Sequence, residues 1–351
     1  MTETLTARAG EELDANRLSH FLTERLGHSF DRIEVEQFPA GSSNLTYLIR
    51  SERDDYVLRR PPFGNTVRSA HDMHREFSVL SKLSTVYSPA PRPILFCNDE
   101  SVIGSEFYLM ERRRGLILRG ATPSSLSESP RLQRQVCKSF IDNLAYLHSI
   151  DYKAAGLSDL GNPVGYPRRQ VEGWTKRYFY AKTHEWPELE RAAEWLDQNI
   201  PNESGASILH NDYKFDNVML DPTDLAKIAA VLDWEMVTVG DPLMDLGTTL
   251  GYWVGREGGE AILNMPFNPR VFRETIPRQE LVDMYRQASG RDVSNILYYF
   301  VFGLFKVAGI AQQIYARYVK GHTQDERFRH FDKFVQILGR IADSSINAGS
   351  I

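Results

Sequence analysis

Cysteine is nearly absent from this sequence, with Cys97 and Cys137 the only thiols in 351 residues. Two isolated thiols supply neither the paired spacing of a zinc ribbon nor a disulfide framework, so the core must come from apolar burial. A reducing, cytoplasmic setting is the expectation that follows. Net positive charge is lacking too: 41 Lys and Arg stand against 46 Asp and Glu, giving −5 at pH 7. That balance excludes an overtly basic nucleic-acid binder. Long apolar runs are missing as well. The longest, 296–305, has ten residues before Lys306 interrupts it, short of the roughly 20 that a membrane-spanning helix needs. It reads as a buried helix, and no membrane partner is expected. Residues 1–17 lack the basic and apolar regions of a secretory leader, so none is expected. No internal repeat or low-complexity tract is visible. Neither G-x-x-x-x-G-K-[ST], H-E-x-x-H nor G-x-S-x-G occurs, which removes the P-loop ATPases, the zincins and the nucleophile-elbow hydrolases. His71 and His74 lie three apart, but without a third ligand they read as a surface pair.

What the sequence does contain is an ordinary globular composition, 42% hydrophobic and 11% aromatic. Its length allows one large domain or two lobes. Asp14 is placed to cap a first helix whose Leu18, Phe21, Leu22 and Leu26 share one face. The runs IEVEQF, LTYLIR and YVLRR, separated by turn-forming AGSSN and SERDD, predict a small antiparallel sheet. Periodicity predicts a helix over 67–84, and PILFCN and EFYLM predict further strands. Helical patterns then dominate over 132–148, 165–200, 278–289, 294–319 and 325–342. Residues 207–235 break that pattern with a loop, a strand VML, a DPTD turn and a strand IAAVL. The chain therefore divides near residue 112 into a sheet-rich segment, 1–111, and a helical one, 112–351.

The chemistry concentrates in 207–235. If VML and IAAVL pair as an antiparallel hairpin, Asn217 before the first strand lies beside Asp233 after the second, on the order of 5 Å away. An amide oxygen and a carboxylate so placed can share one hard cation. Asp212, five residues before Asn217, adds a carboxylate suited to general-base work.

His210-Asn211-Asp212-Tyr213-Lys214-Phe215-Asp216-Asn217 has the H-x-D-x-x-x-x-N spacing of a kinase catalytic loop. Leu232-Asp233-Trp234-Glu235 stands where kinases carry D-F-G, and its D-x-E form resembles the aminoglycoside and choline phosphotransferases. The run GDPLMDLG at 240–247 strengthens the likeness. Within that superfamily the whole pattern is similar to the kinase-like domains related to those fused to some acyl-CoA dehydrogenases, and the resemblance covers most of the chain. A eukaryotic protein kinase fits poorly, because 233–245 leaves no room for an activation segment and A-P-E is missing.

The resemblance implies an α+β, protein-kinase-like bilobal fold with a small antiparallel-sheet N-lobe and a larger, mainly helical C-lobe. It implies that Asp212 receives the acceptor proton, that Lys214 neutralises charge on the transferred phosphoryl group, and that Asn217 and Asp233 hold Mg2+. ATP or GTP would be the donor and a small-molecule hydroxyl the acceptor. Gly41, Ser42, Ser43 and Asn44 occupy the place of the phosphate-covering flap. Arg59 stands where the strand lysine is usual and takes Glu76 as its partner, although adjacent Arg60 leaves the register open. Met110, Glu111 and Arg112 are the hinge candidates facing the adenine. The Arg112-Arg113-Arg114 run beside Arg119 would attract an anionic tail such as that of coenzyme A. His210 is assigned to bracing the loop, and Asp241 and Asp245 mainly to loop and helix capping. The expected acceptor is a hydroxyacyl-CoA; the alternatives are an aminoglycoside or amino-alcohol, or a catalytically silent nucleotide-binding module.

Overall fold

The computed structural model describes residues 3–39, 44–63, 72–119, 122–265 and 267–351. The chain forms two compact units, Met1–Arg114 with Ala230–Glu235, and Gly115–Ala229 with Met236–Ile351. Nine residues that the linear reading placed in the helical segment, Arg112–Arg114 and Ala230–Glu235, thus group with the sheet-bearing unit.

The first unit carries α1 (Ala15–Leu26), β1 (Glu34–Gln37), β2 (Leu45–Arg50), β3 (Asp55–Arg60), α2 (Met73–Leu83), β4 (Pro93–Cys97), α3 (Glu100–Ile103) and β5 (Phe107–Glu111). Its sheet runs β1-β2-β3-β5-β4 with every pair antiparallel. Tyr47, Ile49 and Leu58 of the sheet share a core with Leu18 and Leu22 of α1 and with Phe107 and Leu109 of β5. Asp14 caps α1 as its position suggests, accepting the N–H groups of Asn16 and Arg17. The second helix is shorter than its periodicity predicts. Asp72 caps it by accepting the Arg75 N–H, which places its start at Met73, and 67–71 lie outside the described residues. The one-turn α3, bounded by Asp99 and left-handed Gly104, was not expected, because four residues are too few to display a period.

The second unit carries β6 (Leu116–Ile117), α4 (Ser124–Ser127), α5 (Pro130–Ser149), α6 (Tyr166–Ala181), α7 (Pro187–Gln198), β7 (Ser207–Leu209), β8 (Val218–Asp221) and β9 (Asp224–Val231), which enters the first unit at Ala230. It continues with β10 (Thr238–Gly240), α8 (Pro242–Gly251), α9 (Gly259–Leu263), α10 (Arg270–Thr275), α11 (Arg278–Ser289), α12 (Ile296–Val319) and α13 (Phe331–Ala348). The expected hairpin forms, with β8 and β9 adjacent in a three-stranded sheet. The last helix starts later than predicted and ends later. A 3-10 turn at Glu326–Phe328, capped by Asp325, occupies the start of the predicted span.

By length and composition α12 could cross a membrane, yet 78% of its apolar window is buried inside the protein. It is a core helix, and every residue from Tyr298 to Gly309 is buried. Glycine makes this packing possible. A Cβ on Gly303 would fall inside the radius of the Gly247 carbonyl oxygen on α8, and one on Gly251 would sit 2.6 Å from the Gly303 carbonyl carbon. The two backbones therefore touch, and Lys306, one turn past Gly303, is brought against α8. Gly303→Ala is expected to destabilise the protein by about 1–3 kcal/mol through overpacking. Chemical denaturation measures this, and an unchanged midpoint would contradict the close approach.

Candidate active site

The loop 210–217 connects β7 to β8, and β7 is anchored by antiparallel pairing with β10. Asn211 adopts φ 68, a left-handed conformation that Asn tolerates better than most residues. What holds the turn is Asp245. Its carboxylate, fully buried in the first turn of α8, accepts the N–H of His210 at 2.7 Å and of Asn211 at 2.8 Å. His148 Nε2 lies 3.2 Å from the same carboxylate, and its Nδ1 lies 2.7 Å from the Tyr285 hydroxyl. Burial alone would raise the Asp245 pKa, but the His148 hydrogen bond and the surrounding cations leave it below the usual carboxylate value. Asp245 thus caps a loop far from its own helix. Asp241 is the cap, accepting the Leu243 N–H at 2.9 Å.

Asp212 follows directly. Lys214 Nζ donates to its Oδ2, Asn217 Nδ2 donates to the same oxygen at 2.9 Å, and the Tyr252 hydroxyl donates to Oδ1 at 2.8 Å. His210 Nδ1 accepts the Asp212 N–H at 3.2 Å, consistent with a bracing histidine. Burial pushes the Asp212 pKa up, yet Lys214, His210 and Tyr252 outweigh it and hold the carboxyl below its ordinary value. It is an ionised carboxylate with directed donors. Tyr252 escaped the sequence reading because it lies 40 residues downstream at the end of α8 and belongs to no short motif.

Asn217 turns its amide nitrogen toward Asp212, meeting the backbone carbonyl at 3.0 Å as well, so the amide oxygen is its ligand-capable end. It immediately precedes β8, and Asp233 lies two residues past β9. Asp233 adopts φ 66 and keeps its side chain 36% exposed.

In the first unit the register question at Arg59 is decided. Arg59 Nη1 meets Glu76 Oε1 at 2.8 Å, while Nη2 lies 3.3 Å from Asp233 and 4.0 Å from Glu235. Arg60 instead donates to the Ile103 carbonyl. Burial opposes the Arg59 charge, but Glu76 and the other carboxylates raise its pKa above the ordinary value. Asn44 Nδ2 donates to Glu235 at 3.1 Å; Gly41, Ser42 and Ser43 lie outside the described residues.

The hinge candidates sit at the end of β5. Met110 pairs with Val57, the Glu111 N–H donates to the Arg92 carbonyl, and Arg112 is held by Asp55 and Glu3. Arg113 pairs with Glu111, Arg114 with Asp55 and Arg119 with Asp216. Asp55 is shared by Arg50, Arg112 and Arg114.

The chain has relatives of known sequence and of known structure. Human acyl-CoA dehydrogenase family member 11 is 35% identical over 341 residues, covering 93% of this chain and 42% of that protein. The chain thus spans about two fifths of the length of that curated relative. A solved Ralstonia eutropha protein described as an aminoglycoside phosphotransferase matches with TM-score 0.79 at 29% identity, covering 96% of this chain and 99% of that one. Choline kinase from Cryptosporidium parvum shares the fold alone, with TM-score 0.62 at 13% identity over 93% of this chain and 98% of that one. The architecture is accordingly α+β and protein-kinase-like. Because the profile of the phosphotransferase enzyme family matches residues 34–274, spanning both the strand that carries Arg59 and the loop that carries Asp212, the chain belongs to that family.

Proposed function

We propose that this chain is an ATP- and magnesium-dependent small-molecule kinase that transfers the γ-phosphoryl group to a hydroxyl on an acyl-CoA-type acceptor. The observation that carries the reading is the Asp212 carboxylate, ionised and aimed by Lys214, Asn217 and Tyr252. Such a group orients an acceptor hydroxyl and receives its proton as the oxygen attacks phosphorus. Lys214 is placed to offset negative charge as it develops on the transferred group. The amide oxygen of Asn217 and the partly exposed Asp233 carboxylate are hard donors of the kind that magnesium takes. That ion, when bound, neutralises phosphate charge. Arg59 offers a planar fork for phosphate where related enzymes use a compact ammonium.

Two observations favour an acceptor with an apolar tail. The curated relatives belong to acyl-CoA dehydrogenase proteins, and an aromatic row runs from Tyr252 through Phe267, 5.2 Å away, to Phe334 at 5.8 Å and on to Phe331. Apolar rings beside the base suit an acyl chain better than a polycation, which would call for carboxylates. An aminoglycoside or amino-alcohol is the second reading, favoured by the likeness to the Ralstonia eutropha protein. An ADP-release screen over hydroxyacyl-CoAs, aminoglycosides, choline-like alcohols and sugars tests this. Stimulation by a hydroxyacyl-CoA is the expected result. Stimulation by aminoglycosides alone would overturn the acceptor class, and none by any alcohol would overturn the kinase reading.

A further inference from the structure

Lys306 is an anomaly of composition. It is 1% exposed and sits midway along the most apolar helix of the second unit. Burying an ammonium is costly unless it is hydrogen-bonded and charge-compensated. Its Nζ donates to the Asn211 carbonyl at 2.8 Å, and lies 3.3 Å from Asn211 Oδ1 and 3.4 Å from Thr248 Oγ1.

The residue it holds is unusual in turn. Asn211 has positive φ, its N–H goes to Asp245, its amide nitrogen donates to the Met236 carbonyl at 3.0 Å, and the Tyr166 hydroxyl donates to its amide oxygen at 3.3 Å. Every polar atom of Asn211 therefore has a partner, and the next residue is Asp212. The contact between α8 and α12 at Gly247 and Gly303 is what lets the lysine reach this turn.

We propose that Lys306 is a positioning residue for phosphoryl transfer: by gripping the left-handed Asn211 carbonyl from α12 it fixes the direction in which the neighbouring Asp212 carboxylate points. The assignment rests on Asp212 as the base. Methionine or leucine would serve packing alone at this depth, and neither would bond the carbonyl of the residue before the base. Burial pushes the Lys306 pKa down to about 8, while Asp245 and Asp212 pull it upward against Lys214 and Arg177. It is mainly charged at neutral pH.

The test compares Lys306→Met, which keeps volume but not the donor, with Lys306→Arg, which keeps donor and charge. A displaced base costs on the order of 100-fold in turnover, so Lys306→Met is expected to lower kcat by about that factor with KM for ATP unchanged, and Lys306→Arg to recover part of it. A kcat equal to wild type, or equal losses in both variants, would overturn the assignment. Should Lys306→Met not fold, Lys306→Leu, which also lacks a donor, takes its place with the same reading. Hydrogen exchange at the Asn211 and Asp212 amides supplies an arm that needs no acceptor. Exchange there is expected to quicken by on the order of tenfold while the rest of α12 keeps its protection. If the wild-type protein transfers phosphate to no acceptor, the kinase reading fails alone and this arm decides Lys306: faster exchange supports the grip, and unchanged exchange overturns it.

Discussion

Asp212→Asn is expected to retain nucleotide affinity while lowering phosphoryl transfer by on the order of 10³-fold, the middle of the range for loss of a general base. Asparagine fills the same space and still offers an oxygen to the Tyr252 hydroxyl, which donates to Asp212 at 2.8 Å. It cannot receive the acceptor proton, and it removes the charge that Lys214 faces. Nucleotide titration and steady-state kinetics on one preparation separate the two effects. Transfer persisting at the wild-type rate would remove Asp212 from the role of base. The same experiment addresses the silent-module alternative, since a wild-type protein that binds nucleotide and transfers nothing would leave the substitution without a kinetic effect.

Asp245→Ala is expected to act on stability and turnover together. The carboxylate lies fully buried, takes two backbone N–H groups from the 210–217 loop and faces His148. Alanine leaves those donors without an acceptor, and removing one partner from a buried charged network costs about 3–5 kcal/mol. Urea unfolding measures the loss, and a variant as stable as wild type would refute the anchoring role. The pH dependence has a definite sign. The folded Asp245 pKa is lowered, so the stability it contributes is fully present above the unfolded carboxyl value of about 3.9 and disappears as pH falls through the lower folded value. Wild type and variant should accordingly converge in stability only in strong acid.

The strands and helices were largely legible because their signals are local. Alternation in LTYLIR and YVLRR needs only neighbouring residues, and it places Arg59 and Arg60 on opposite faces of β3. Where local signals were short or interrupted, the reading missed: α3 is a single turn, and Asp72 sets a start for α2 that apolar periodicity does not mark. The site divides in the same way. His210, Asp212 and Asn217 share one loop, so spacing reveals them. Tyr252 and Lys306 reach that loop from elsewhere in the chain, and no window of sequence holds both ends of either contact.

The scarcity of cysteine, of net positive charge and of long apolar runs determined much by itself. It required a core made by burial and made an overtly basic nucleic-acid binder the wrong expectation, while the H-x-D-x-x-x-x-N spacing marked the residues to which the proposed chemistry is assigned. Tertiary structure decided what surrounds them. It showed which loop Asp245 holds, paired Arg112 and Arg114 with Asp55, and showed the lysine that interrupts the apolar run to be a buried donor to the 210–217 loop. The physical reason is that ionisable groups take their roles from partners within a few ångströms, and those partners are brought together by packing such as the glycine contact between α8 and α12, which no linear pattern records.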